Sequence, residues 1–277
     1  MKRILFPTDF SEVATNAFVH ALELAKTVQG ELILLHTFEL PVFDNQFFPE
    51  NYLVIYESVE LSQFDMFKDE IPKLRAIAKK HNLDKIKMTH RLMDGGLIFN
   101  ISKAIKEDKI DYVVMGTEGA SGWSAFFSGT NTGAAISDVK VPLLCIPLEA
   151  KFKKIKTIGF TTRFRPKDKK ALKKVLEIAK LDGANIKCLY VKTSKSDVTN
   201  EMVKKWEKDF EKEPIEFFVI TSDDVKETIL DFILYQDIDV LTMLTYKRSF
   251  FEGIFHPSLT KKFANNFDVP ILAIPME

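Results

Sequence analysis

The residues best suited to hold a small ligand lie in a glycine-containing segment near the middle of the chain. It begins with Gly116-Thr117-Glu118-Gly119, and Gly129-Thr130 follows after nine further residues. Glycine lets the backbone approach a ligand closely, and the amide groups at the start of a helix attract phosphate. The spacing differs from the GxGxxG and GxxxxGK[ST] phosphate motifs. It therefore predicts either a different phosphate-binding loop or a plain connecting turn, because glycine is common in both.

A carboxylate stands at a second position that could contact the same ligand. The first apolar run, Arg3 to Pro7, is followed by Thr8 and Asp9. In an open parallel sheet with strand order 3-2-1-4-5, ligands bind at the carboxyl ends of the strands, where the order reverses between strands 1 and 4. Asp9 and Gly116 follow those two strands, so we expect them to meet in one crevice. The alternative role for Asp9 is that of a turn or helix-capping residue.

Short apolar runs alternate with helical patterns and would position these residues. The alternation predicts an α/β fold in which a parallel sheet carries helices on both faces. The predicted strands of the first half are 3–7, 32–36, 86–92, 112–115 and 143–146, and the predicted helices are 11–29, 58–81, 98–107 and one ending at Asp138.

The pattern then repeats. Ala21–Lys26 matches Val175–Lys180 at an offset of 154, and Ile110–Met115 matches Ile238–Met243 at an offset of 128. Two ungapped matches in the same order indicate a duplication. We predict two similar domains, 1–149 (the first half) and 150–277 (the second half). The fall in offset predicts that the second half lacks residues present in the first, and 39–57 is the expected position of that loss.

Composition excludes several classes of protein. The 277 residues include 39 basic and 39 acidic side chains. This balance gives no basic field for nucleic acid, and no apolar run is long enough to cross a membrane. Cys145 and Cys188 lie inside apolar runs, which predicts buried thiols and a cytoplasmic location. The histidines and cysteines lack metal-ligand spacing, and nucleophile motifs are absent, so no catalytic residue is predicted and any metal ligands stay undetermined.

The combined motifs resemble the universal stress protein family. They are Pro7-Thr8-Asp9-Phe10-Ser11 after the first strand, Leu34-Leu35-His36 in the second, and G-x2-G-x9-G-[ST] after the fourth. The resemblance covers both halves. It implies a tandem stress-response protein in which each domain is a Rossmann-like, five-stranded parallel sheet of order 3-2-1-4-5, and in which the first domain binds ATP, alone or with Mg²⁺ or Mn²⁺.

The resemblance also implies roles for individual residues. The phosphates would lie on Gly116, Gly119, Gly129 and Thr130, the ribose near Asp9, and the adenine against the backbone of Thr37. Five neighbours are further expected contacts: Pro7, Thr8, Met115, Asn131 and Thr132. At most slow ATP hydrolysis is expected. Two alternatives remain at this point, an interaction module without nucleotide and a sensor of another small ligand.

The second half departs from this pattern. Leu244, Lys247 and Pro257 stand where the three glycines stand in the first half, and Arg163 replaces Asp9. Side chains would obstruct the approach of a phosphate, and proline lacks an amide hydrogen. We therefore expect one nucleotide per chain. Arg163, Lys247 and Arg248 form either a solvated basic surface or a site for another anion.

Each half ends in an apolar strand, 141–146 and 269–274. An open apolar edge strand promotes aggregation. The family resemblance predicts that these two strands pair antiparallel, which would make the chain a pseudo-dimer of its own halves. A homodimer of the whole chain is the second arrangement considered.

Overall fold

A computed structural model describes residues 1–39, 52–117, 130–245 and 268–276 of the chain. The chain divides into two compact units, Met1–Gly116 and Thr117–Glu277. Each unit is an α/β structure.

The first unit is built on parallel strands in the order β3-β2-β1-β4. The central strands are apolar on both faces, and Ile4, Leu5 and Phe6 are completely buried, as expected where helices cover both sides of a sheet. The elements are β1 (Arg3–Pro7), α1 (Glu12–Thr27), β2 (Glu31–Phe38), α2 (Tyr52–Lys80), β3 (Met88–Asp94), α3 (Leu97–Glu107) and β4 (Tyr112–Thr117).

The second unit has the strand order β5-β10-β9-β6-β7-β8. All of its pairings are parallel except that of β5 with β10. Its elements are α4 (Thr130–Asp138), β5 (Leu143–Pro147), β6 (Thr157–Thr161), α5 (Pro166–Asp182), β7 (Asn185–Lys192), α6 (Asn200–Asp209), β8 (Ile215–Thr221), α7 (Val225–Tyr235), β9 (Val240–Thr245) and β10 (Ile271–Pro275).

The predicted strand order is present in the second half, where β8-β7-β6-β9-β10 corresponds to 3-2-1-4-5. The predicted antiparallel pairing of the last strands is also present, with Leu144 opposite Leu272. Because β10 pairs with β5 on one side and with β9 on the other, its backbone groups are hydrogen-bonded along both edges.

Both offsets seen in the sequence persist in three dimensions. Arg3 lies opposite Glu31 in the first unit, and Thr157 lies opposite Asn185 in the second unit, which is the offset of 154. The carboxylate of Asp111 accepts a hydrogen bond from the Arg3 amide, and that of Asp239 accepts one from the Thr157 amide, which is the offset of 128. The duplication therefore extends to individual hydrogen bonds.

The long helix of the first half differs from its predicted bounds. It begins at Tyr52 rather than at 58 and runs for 29 residues, whereas its counterpart α6 has 10. The shortening of the second half therefore includes helical turns and is not confined to 39–57. Residues 40–51 lie outside the described residues.

Two further predictions concern burial. Cys145 and Cys188 are both buried and unpaired, as the sequence predicted, and burial raises the pKa of each thiol. Within the described ranges, no helix is both long and apolar enough to span a membrane.

Candidate functional site

The turn that follows β1 carries the first candidate ligand contacts. The amide of Thr8 donates to the carbonyl of Leu35 (2.8 Å), so the turn begins anchored to β2. The hydroxyl Oγ1 of Thr8 accepts a hydrogen bond from the Phe10 amide (3.0 Å). Phe10 has a φ of 62°, a conformation that non-glycine residues rarely adopt. This turn therefore follows directly on the carboxyl end of β1.

Asp9 is exposed on this turn. Its Oδ1 accepts a hydrogen bond from the Ser11 amide (3.0 Å), while the Ser11 hydroxyl caps α1 by accepting from the Ala14 amide (3.2 Å). The turn role considered for Asp9 is thus confirmed. Its Oδ2 accepts no hydrogen bond from any residue that the structure describes, so one carboxylate oxygen is available to a ligand.

His36 on β2 holds this turn from the inside. Its side chain is 7% exposed, and its Nδ1 lies 2.7 Å from the carbonyl oxygen of Thr8. A carbonyl oxygen can only accept, so Nδ1 donates this hydrogen bond. The imidazole ring lies 5.1 Å from the ring of Phe10 and 6.1 Å from that of Phe67. The hydrogen bond from His36 therefore joins β2 to the turn that follows β1.

Gly116 lies near the end of β4, which runs beside β1. A Cβ atom added to it would lie 2.8 Å from both Cγ1 and the carbonyl oxygen of Val13, in the first turn of α1. That distance is too short for any side chain. Gly116 therefore has a packing role, the close approach of β4 to α1, whether or not it also contacts a phosphate.

The remaining predicted contacts are spread over several elements. Pro7 ends β1 and is buried, Met115 is a core residue of β4 at 5% exposure, and Thr37 is partly buried in β2 opposite Met93. The first turn of α4, in the second unit, contains three of the predicted contacts: Thr130, Asn131 and Thr132. Two predicted contacts, Gly119 and Gly129, lie outside the described residues.

The equivalent turn of the second half has the same backbone geometry. The Thr162 amide donates to the carbonyl of Leu189 (2.9 Å), and the Thr162 hydroxyl accepts from the Phe164 amide (2.9 Å). Phe164 has a φ of 55°. Arg163 occupies the position of Asp9, as the alignment predicted, and is exposed.

A buried carboxylate organises this second turn, and sequence reasoning missed it. Asp168 of α5 is fully buried. Its Oδ2 accepts hydrogen bonds from the Thr162 hydroxyl (3.0 Å), the Arg163 amide (2.7 Å) and the Arg165 amide (3.2 Å). The available signal was an acidic residue three positions after the helix N-cap, a common place for a side chain that satisfies free amides.

A cavity of about 860 Å³ opens beside this turn, at the carboxyl ends of β6 and β7. It is lined by both polar and apolar side chains. Arg163 and Lys195 contribute positive charge, and Val191, Ile229 and Leu244 contribute apolar surface. The position corresponds, through the repeat, to the crevice predicted for the first half.

A metal centre is not indicated by the part of the chain that the structure describes. Within it, no group of three or more His, Cys, Asp or Glu side chains is arranged to hold a metal ion.

Comparison with known proteins agrees with the duplicated fold. A model of the universal stress protein family matches the chain twice, over residues 1–147 and 154–275. A universal stress protein of Methanocaldococcus jannaschii is 23% identical over 145 residues, which is 52% of this chain and 81% of that protein.

Solved structures resemble the chain over its whole length. A universal stress protein from Archaeoglobus fulgidus has a TM-score of 0.70 at 17% identity, with 99% of this chain and 96% of that chain covered. A protein of unknown function from Pseudomonas aeruginosa has a TM-score of 0.61 at 10% identity, with 100% and 93% covered. Such low identities establish the fold alone. The two matches of the family model establish more: the chain belongs to the universal stress protein family and carries the family's domain twice in tandem.

Proposed function

We propose that this protein is a cytoplasmic stress-response protein that binds one adenine nucleotide, ATP, in its first half. The domains would be 1–149, with the intact motif, and 150–277, with the degenerate one. The phosphates would contact the glycine loop and the start of α4, the ribose would contact Asp9, and the adenine would contact the backbone at Thr37. Mg²⁺ or Mn²⁺ would accompany the phosphates.

The main support for the proposal is the exposure of Asp9 and the oxygen of its carboxylate that accepts no hydrogen bond from a described residue. An exposed carboxylate with an oxygen free of described partners stands at the carboxyl end of β1, immediately beside β4. Strands β1 and β4 are the pair at which the strand order reverses, which is where open α/β sheets bind ligands. A carboxylate there suits a ribose, whose hydroxyl groups donate hydrogen bonds.

Two other features support the associated proposals. The antiparallel pairing of β5 with β10 supports a chain whose two domains join through their last strands, with a homodimer not required to cover those edges. The two buried, unpaired cysteines agree with a reducing compartment.

Calorimetry of the full chain with ATP and Mg²⁺ tests the proposal. We expect one ATP per chain. Gly129→Val should abolish binding because a branched side chain obstructs the phosphates, and Asp9→Asn should weaken it by roughly tenfold, the effect of losing one hydrogen bond to a charged group.

Asp84→Asn is the matched control. Asp84 is an exposed aspartate in the turn before β3, at the opposite edge of the sheet, and its replacement should leave the affinity unchanged. Equal ATP affinity in the wild type and the Gly129→Val variant, or two ATP molecules per chain, would contradict the proposal.

One observation favours a second candidate, an interaction module without nucleotide. The contact between Gly116 and Val13 explains that glycine by packing alone. Native mass spectrometry of protein purified without added ligand separates the two candidates. A co-purified adenine nucleotide would support the first, and an empty chain that also fails to bind added ATP would support the second.

A further inference from the structure

We propose that the cavity of the second half is a separate binding site for a small organic anion, one that carries a phosphate or carboxylate on an apolar ring. This site is distinct from the nucleotide site proposed for the first half. Cations, acids and apolar side chains all line the cavity of about 860 Å³.

The charge at the centre of the turn is reversed between the two halves. Arg163 lines the cavity at the position that corresponds to Asp9. Partial desolvation lowers the pKa of its guanidinium, while attraction to Asp168 opposes that change. A cation that has lost part of its water gains more from an anionic ligand than a fully hydrated one does.

A second cation lies on the loop after β7. Lys195 lines the cavity and is exposed. Its charge attracts the carboxylate of Asp223, but its ammonium group donates no hydrogen bond to a described residue. The ammonium group can therefore donate to a ligand. Arg163 and Lys195 come from different loops, after β6 and after β7, so an anion between them would be bound from two sides.

The acidic side chains that line the cavity already accept hydrogen bonds from the protein. The buried Asp168 accepts three on Oδ2, which fixes the backbone of Arg163. Asp197 accepts from the Arg165 guanidinium (2.8 and 2.9 Å), Asp223 from the amide and hydroxyl of Ser194 (2.8 and 2.9 Å), and Asp224 from the Glu227 amide (2.9 Å). These contacts fix the positions of the acids, and the ion pair with Arg165 balances the charge of Asp197. The other carboxylates keep their charge, so the anionic group of a ligand has to lie closest to Arg163 and Lys195.

Part of the cavity lining is apolar. Ile229, Met243 and Leu244 are at most 3% exposed, and Val191 and Val225 complete this surface. Leu244 stands where the first half has Gly116. A side chain in place of bare backbone disfavours a polyphosphate and favours a ring that packs on the leucine. A lining that combines apolar side chains with Arg163 and Lys195 fits a ring that carries one anionic group.

Calorimetry of the full chain with three probes tests the proposal. Phenyl phosphate and benzoate carry a ring and an anionic group, and phenol carries the ring alone. We expect at least one of the two anions to bind, and phenol to bind at least tenfold more weakly. Whichever anion binds better identifies the anionic group. Arg163→Gln and Lys195→Gln should each weaken the binding by roughly 10- to 100-fold, the effect of removing one hydrogen bond to a charged group.

Two control variants define the site. Lys170→Gln removes an exposed lysine of α5 that does not line the cavity, and should change the affinity less than twofold. Gly129→Val, designed against the ATP site, should also leave phenyl phosphate binding unchanged. The circular dichroism spectrum of Arg163→Gln should match that of the wild type, which shows that a loss of affinity does not come from a loss of fold.

Several results would overturn the proposal. They are the absence of binding of both anions at millimolar concentration, equal affinity in the wild type and Arg163→Gln, and loss of binding in Gly129→Val. Equal affinities for phenol and phenyl phosphate would also overturn it, because the cations would then play no part.

Discussion

The turn after β1 and the turn after β6 have the same backbone and different supports. In each, a threonine hydroxyl accepts from the amide of a phenylalanine that has a positive φ. The first turn is held by the exposed Asp9 and by Ser11, whereas the second is held by the fully buried Asp168. The duplicated backbone has thus been kept while the side chains that stabilise it have changed.

In both turns the phenylalanine ring packs against a ring of the neighbouring strand. Phe10 lies 5.1 Å from His36, and Phe164 lies 5.4 Å from Tyr190, measured between ring centroids. His36 also forms a hydrogen bond with the turn. Both turns are therefore supported from within, the first by the hydrogen bond from His36 and the second by the hydrogen bonds to Asp168, while the residue exposed on the turn is Asp9 in one half and Arg163 in the other. A turn stabilised from within can change its exposed residue without losing its shape.

The largest expected effect concerns the two aspartates that support the turns. Asp168→Asn should destabilise the protein by about 3 kcal/mol, because three hydrogen bonds to a buried carboxylate are weakened. Asp9→Asn should cost less than about 0.5 kcal/mol, because the side chain is exposed. Urea unfolding at pH 7 measures both. Equal losses would show that the two turns do not differ in their support.

A smaller loss of stability is expected at Gly116, which corresponds to the larger Leu244 in the second half. Gly116→Ser should cost about 2 kcal/mol, because the new Cβ would lie 2.8 Å from the backbone oxygen of Val13. Gly96→Ser is the control, since its Cβ would have its nearest neighbour at 3.6 Å and serine is a favourable N-cap for α3. Thermal unfolding compares the two variants. A stable Gly116→Ser protein would mean that α1 can move away from β4 in the first half.

The smallest effect is expected for two equivalent aspartates, Asp111 before β4 and Asp239 before β9. Burial favours the neutral acid of Asp239, but hydrogen bonds from Lys153 and from the amides of Lys156 and Thr157 outweigh it, so the pKa lies below its usual value. Its contribution to stability is therefore present above the unfolded pKa of about 3.9 and lost as the pH falls through the lower folded value.

Asp239→Asn should consequently cost about 1 kcal/mol at pH 7 and progressively less in acid. Asp111→Asn is the matched variant, and it should cost less because the Asp111 side chain is 29% exposed against 11% for Asp239. Urea unfolding at pH 7 and at low pH gives both comparisons. A cost for Asp239→Asn that grows as the pH falls would contradict the assignment.

Much of the fold could be predicted, because alternating strands and helices leave few arrangements for a parallel sheet. The repeat offsets even predicted the equivalence of Asp111 and Asp239. The positive φ of Phe10 and Phe164 could not be predicted, because that conformation normally indicates glycine or asparagine. Nor could the contact between Gly116 and Val13, since a glycine in a motif does not reveal whether a ligand or a neighbouring helix requires it.

The pairing of β5 with β10 has a consequence for the order in which the protein can be completed. Leu144 and Leu272 are adjacent across the sheet and 128 positions apart in the chain. A ribosome adding residues at roughly 5–20 per second therefore exposes the edge of β5 for several seconds before its partner exists. The second half must be translated before that edge is covered, so an interrupted chain would present an apolar, unpaired strand to chaperones and proteases.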